Sequence, residues 1–191
     1  MFTELLRKST HISGLIIPIV YNFMDKGSML TIVGGFAVIA FVVEFLKWLY
    51  QPFREVFYSV LRPLLRSHEQ KGAITGATYF IFSALLCILF FEKNVAIVCI
   101  FFMILGDSAA ALVGTRWGRI KLIGKKSLEG SGACFLTCVV IALFWLNPII
   151  GLTGAFVATV VELLPLRIDD NFTVPLISGA VMQLMIKYLV I

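Results

Sequence analysis

The stretch Gly106–Ser131 reads GDSAAALVGTRWGRIKLIGKKSLEGS. It carries Asp107 near its start, five cations in its middle and Glu129 near its end. The sequence on either side is almost wholly apolar, and that contrast decides the fold. Of the 191 residues, 60% are hydrophobic and 14% are charged, and the mean hydropathy is +0.98. Soluble domains average about 45–50% apolar and about 25% charged residues. The composition predicts an all-α integral membrane protein, with residues 1–191 forming a single domain.

A spanning helix needs roughly 20 mostly apolar residues. Working outward from the charged stretch, seven apolar segments fit: about 11–24, 28–49, 73–91, 94–113, 130–146, 148–164 and 172–190. The first follows Arg7 and Lys8, as a signal-peptide core would. Tyr21, Asn22 and Phe23 come next where a cleavage site needs small residues, so the segment reads as a retained span. The fifth and sixth meet at Asn147-Pro148, which predicts a tight turn. Cys87, Cys99, Cys134 and Cys138 all fall inside apolar segments and read as small hydrophobes in packed helices. His11 and His68 are too few for a metal-ligand cluster, and no internal repeat is evident.

Cytoplasmic loops of membrane proteins are enriched in Lys and Arg. With the N-terminus inside and seven spans, the inner face collects Arg7, Lys8, Lys47, Arg54, Arg62, Arg66, Lys71, Arg116, Arg119, Lys121, Lys125, Lys126 and Arg167. The outer face receives Lys26 and Lys93, and Lys187 lies near the end of the last span. The asymmetry supports a multi-pass protein with its N-terminus and its charged loops in the cytoplasm. It also accounts for the net charge of +5 without nucleic acid as a partner. The stretch 52–68, PFREVFYSVLRPLLRSH, has apolar residues at 53, 56, 57, 60, 61, 64 and 65. That is helical spacing, and it predicts a basic amphipathic helix on the inner membrane surface, bent at Pro63. Such a helix would anchor to anionic lipid or frame an access route for a lipid substrate.

Ionisable groups at bilayer depth are costly and point to function. Glu44 is explained by an i,i+3 pair with Lys47 near the interface. Asp107 has no such explanation, since Gly106 precedes it and Ser-Ala-Ala-Ala follows. The topology brings Asp107, Glu129, Glu162, Asp169 and Asp170 to the same inner face as the cations. Carboxylates with lysines suit a metal–polyphosphate, the acids for Mg²⁺ and the cations for phosphate. Ser127 is placed to begin the fifth span, and free N–H groups at a helix start attract phosphate. Gly114, Gly118, Gly124, Gly130 and Gly132 would let the backbone come near it. The P-loop pattern is absent.

The same residues resemble a known family. The Gly106–Ser131 stretch is similar to the signature of the membrane-bound polyprenol, dolichol, phytol and diacylglycerol kinases that use CTP. ELLRKSTHISG (4–14), HEQKGAITGATYF (68–80) and VELLPLRIDDNFTVPLISG (161–179) are similar to three further blocks of that family, in the same order. The resemblance implies transfer of phosphate from CTP, with ATP the less expected donor, to a long-chain lipid alcohol among membrane lipids. It implies Mg²⁺ on Asp107, with help from Glu162 or Asp170. It implies a phosphate-binding role for Gly114, Arg116, Lys125, Lys126 and Ser127, and for Arg7, Lys8 and Asn171. The alcohol proton would pass to Glu129 or Asp170, a choice the sequence leaves open.

Two other readings use some of the same features. A phosphatidate cytidylyltransferase would also handle CTP and a lipid and make a CDP-lipid. Its closing Lys-Asp…Pro-Gly-His-Gly-Gly…Asp-Arg signature is missing, since the chain closes on DDNFTVPLISG. A transporter would use Asp107 and Glu162 as coupling sites, but the halves show no repeat and the charge lies at one face rather than at mid-membrane.

Overall fold

The computed structural model describes residues 11–66, 69–124, 126–166 and 168–189. Each of the seven apolar segments is a helix. A turn from His11 leads into α1 (Ile16–Phe23). α2 (Lys26–Leu49) starts where the Asp25 carboxylate accepts from the Ser28 N–H at 2.8 Å. α3 (Gln51–Leu61) has Pro52 in its first turn, where no N–H is needed. α4 (Gly76–Phe90) is capped by Thr75. α5 (Lys93–Phe101) continues through a π-helical segment, Phe102–Gly106, into α6 (Asp107–Trp117). α7 (Leu128–Leu143), α8 (Pro148–Leu163) and α9 (Asp170–Leu189) complete the chain. The tight turn before α8 is present, with the Asn147 side chain accepting from the Ile149 N–H.

Two of these helices, Lys26–Leu49 and the continuous Lys93–Trp117, are long and apolar enough to cross a membrane. They do opposite things with their side chains. Val95 to Ile104 are all buried, so α5 and the π segment form the central axis, packed by α1, α4, α7 and α9. α2 instead exposes Phe36, Val38, Ile39, Phe41, Phe45 and Trp48 along its outer face. A continuous apolar face of this kind suits lipid better than water.

The helices run up and down, so their ends form two layers. One holds Lys26, which donates to the Phe91 carbonyl at 3.2 Å, and Lys93, which donates to the carbonyls of Asn22 and Met24. The other holds the loops that carry most of the cations and the acids singled out above.

Two expectations need correction. The amphipathic helix stops at Leu61 instead of running to 68, and residues 62–65 turn back on it, with the Leu64 and Leu65 N–H groups on the Leu61 carbonyl. Pro63 has no N–H to continue the ladder. The chain is also not purely helical: β1 (Lys121–Ile123) and β2 (Lys126–Ser127) pair antiparallel. Gly124, with φ of +58°, makes the turn that a residue with a Cβ adopts poorly.

Candidate functional site

Asp107 is the first residue of α6, directly after the π segment. π segments are frequent at functional sites, because the extra residue per turn shifts the side chains that follow. Gly106 permits the fit. A Cβ there would stand 2.9 Å from the Cys138 sulfur on α7. Asp107 is half-exposed and lines two spaces at once.

The first space is a void of about 10 Å³, the size of one water, bordered by Asp107, Glu162, Asp170 and Asn171. Beside it, Lys126 bridges two of the acids, 3.3 Å from Glu162 Oε1 and 3.1 Å from Asp170 Oδ2, and also donates to the Glu162 carbonyl. Burial works against the Lys126 ammonium, but the charges of Glu162 and Asp170 outweigh it and hold its pKa above the usual lysine value. Burial pushes the Asp170 carboxyl up; Lys126 opposes this, and the charges of Asp107 and Asp169 add to it. The other Glu162 oxygen, Oε2, is buried without a hydrogen-bond partner. Glu162 and Asp170 thus share one ammonium, with the charge of Asp107 close by. Among the described residues no three His, Cys, Asp or Glu are placed to grip one metal ion together. The oxygen donor set and the unpartnered Oε2 nevertheless fit a hard cation such as Mg²⁺.

The hairpin side is built by close packing. Ser127 caps α7, accepting from the Gly130 N–H at 3.2 Å. A Cβ on Gly130 would stand 2.8 Å from the Ala110 carbonyl, and one on Gly118 2.5 Å from the Ser127 hydroxyl. These glycines, with Gly114, let α6 and α7 touch. Glu129 accepts from the Arg119 and Ile120 N–H groups at 3.0 and 3.2 Å. Its own N–H, then those two, keep its carboxyl below the usual range. Arg116 is exposed and lies over the Trp117 ring. Arg7, Lys8 and Lys125 fall outside the described residues.

The second space is a cavity of about 380 Å³ between α3 and α4. Asp107 and Asn171 stand at its polar end, with His11, Arg66 and Glu69. His11 Nε2 lies 3.3 Å from the Met103 carbonyl and 3.9 Å from Asp107 Oδ2. Gly14 lets the first helix close on Phe80, which brings His11 there. Sequence reasoning discounted His11 as one of only two histidines. Its place in the 4–14 block was the available signal. Arg66 pairs with Asp169, whose other oxygen accepts from the Asn171 N–H at 3.0 Å. Buried Glu69 accepts from the Gly76 and Arg66 N–H groups.

With this geometry in hand, sequence comparison finds relatives over most of the chain. An uncharacterized protein of Rickettsia prowazekii is 28% identical, aligning 91% of this chain with 90% of its own. A CTP-dependent diacylglycerol kinase of Saccharomyces cerevisiae is 27% identical, over 78% of this chain and 61% of its own. A probable chloroplastic phytol kinase of Triticum aestivum is 33% identical, over 63% and 48%. The chain therefore spans about six-tenths of the first kinase and about half of the second. No family model and no solved structure matches it.

Proposed function

We propose that this chain, a relative of the CTP-dependent lipid kinases, transfers the terminal phosphate of CTP to the hydroxyl of a membrane lipid alcohol. The acceptor class is a polyprenol, phytol, dolichol or diacylglycerol, and the product is a lipid monophosphate with CDP released. The observation that carries this reading is the convergence of Asp107, Glu162, Asp170 and Asn171 on one small void beside Lys126. Phosphoryl transfer spreads negative charge over the transferred group, so positioning and charge neutralisation dominate its catalysis.

Asp107, with help from Glu162, would hold Mg²⁺, which when bound would supply positive charge to the donor phosphates. Lys126 keeps Glu162 and Asp170 in register beside the same phosphates. The hairpin flanks the site with Lys121, and Arg7, Lys8 and Lys125 keep the phosphate role that the resemblance implies. The alcohol oxygen forms a bond to the terminal phosphorus. The bridging Pβ–O–Pγ bond breaks, and CDP leaves with its electron pair. Of the two acids expected to take the hydroxyl proton, Asp170 borders the void, while Glu129 is engaged in holding residues 119–120. We assign the proton to Asp170, whose raised pKa makes it the better acceptor. The excess of cations on the site's end of the molecule orients it to the cytoplasm in a multi-pass protein.

The test is direct. Purified protein in detergent with Mg²⁺, CTP and a panel of phytol, polyprenol, diacylglycerol and phosphatidate should yield a monophosphorylated alcohol by mass spectrometry. A CDP-lipid with pyrophosphate, or no lipid product with CTP or ATP, overturns the reading.

A further inference from the structure

Clefts of about 300–1,000 Å³ lined mostly by apolar side chains with a few polar groups are the usual form of a small-molecule site. The cavity of about 380 Å³ between α3 and α4 is therefore a feature to explain. Its lining is divided. Phe57, Leu61, Leu64 and Leu65, from α3 and the turn after it, form one wall, and all four are half-buried. None of the four belongs to the main hydrophobic core, and each lines this space, Phe57 while also carrying the Lys47 ammonium over its ring. At the other end stand Asp107 and Asn171, which also border the carboxylate void. The cavity's other charged groups are already engaged: Arg66 with Asp169, and Glu69 with two backbone N–H groups. A triphosphate would find no cation to spare there. A long apolar molecule with one neutral hydroxyl would find an apolar wall for its chain and polar groups for its head.

We propose that this cavity is the acceptor site: a long-chain primary alcohol lies along Phe57, Leu61, Leu64 and Leu65 with its hydroxyl at Asp107 and Asn171. The identity of the occupant rests on the lipid-kinase reading, whereas the cavity's preference for an apolar chain with one polar end stands on its lining. Asp107 then separates two ligands. The acceptor lies on the α3 side, and the donor phosphates lie on the side of Lys126 and the hairpin. The hydroxyl oxygen meets the terminal phosphorus between them, and its proton passes to Asp170, next in sequence to Asn171. α3 and the turn at 62–65 become the wall that an acceptor passes on its way in from the membrane surface.

The experiment uses a C16 primary alcohol carrying a diazirine at mid-chain. It is irradiated with the purified full chain in detergent, and labelled peptides are mapped by mass spectrometry. Label is expected on peptides holding Phe57 and Leu61–Leu65. Ala77→Phe narrows the cavity from α4 and should cut that label and raise KM for the alcohol by about tenfold or more, leaving KM for CTP within about twofold. Label confined to the outer face of α2, or an Ala77→Phe effect on CTP alone, overturns the proposal. If Ala77→Phe does not fold, the wild-type label map decides by itself. Label in the cavity without phosphorylation of any alcohol supports the site while the kinase reading fails, so the two are separable.

Discussion

Glu44 and Glu162 are both acids beside a lysine among apolar helices, and their surroundings answer them differently. Glu44 Oε1 accepts from the Thr75 N–H and from the Thr75 and Thr78 hydroxyls, each at 3.0 Å. Its Oε2 takes the Lys47 ammonium at 2.8 Å. Lys47 is itself 4% exposed and lies over the Phe57 and Tyr58 rings, which ties α3 to α2. Every oxygen there has partners, and charge is balanced one to one. At Glu162 one oxygen has no partner, and Lys126 faces more acid than it can neutralise. A fully satisfied buried network rigidifies a fold, whereas a partly satisfied one is costly unless a ligand completes it. The first cluster is fully satisfied, and the second leaves a buried carboxylate oxygen without a partner.

The largest expected effect tests the second cluster. Asp107→Asn should lower turnover about 10²-fold or more, the scale seen when a charge-stabilising group is removed, with unchanged circular dichroism. Near-normal turnover would remove Asp107 from the chemistry.

Glu44→Gln should leave Lys47 buried without its counter-charge and cost about 3 kcal/mol of stability. Glu162→Gln should change apo stability by less than about 1 kcal/mol, since it removes a charge that is poorly answered. Thermal melts in detergent with and without Mg²⁺ separate the two. Mg²⁺ should raise the melting temperature of wild type and of Glu44→Gln but not of Glu162→Gln. Equal Mg²⁺ shifts in both variants would erase the contrast.

Gly130→Ala should cost about 1–3 kcal/mol by pushing α6 from α7, because the added carbon meets a backbone carbonyl that cannot swing away. A variant as stable as wild type would mean the helices part freely there.

The smallest effect is a pH dependence. Lys126 has a folded-state pKa above its unfolded value, so its stabilisation is complete below the usual lysine value of 10.5 and is lost as pH rises through the raised one. Lys126→Met should lack that alkaline loss in a melt series. An identical alkaline profile in the variant would show that the ammonium contributes nothing there.

Much of this architecture was legible in the linear pattern. Helices stand at all seven apolar segments because apolar runs and caps such as Asp25, Thr75 and Asn147 are local signals. The end of α3 was misjudged because helical spacing continues through Pro63 in the sequence, while the backbone cannot continue its ladder there. The hairpin was hidden inside a run of cations, where Gly124 was the one turn signal. Asp107 stood out because a lone acid in grease is rare. His11 did not, because a histidine takes its meaning from what it faces.

The sequence by itself determined the helices, the segregation of cations and the candidate acids, since composition, period and capping act over a few residues. Only the tertiary structure decided which acids meet. Glu44 and Glu162 each have a lysine within reach, but the partners that satisfy one and leave the other wanting come from other segments of the chain. Thr75 and Thr78 close on Glu44 from α4, while Asp107 and Asp170 crowd Glu162 from α6 and α9. The number of donors that reach a carboxylate is set by how helices pack, and that count separates the satisfied acid from the unsatisfied one.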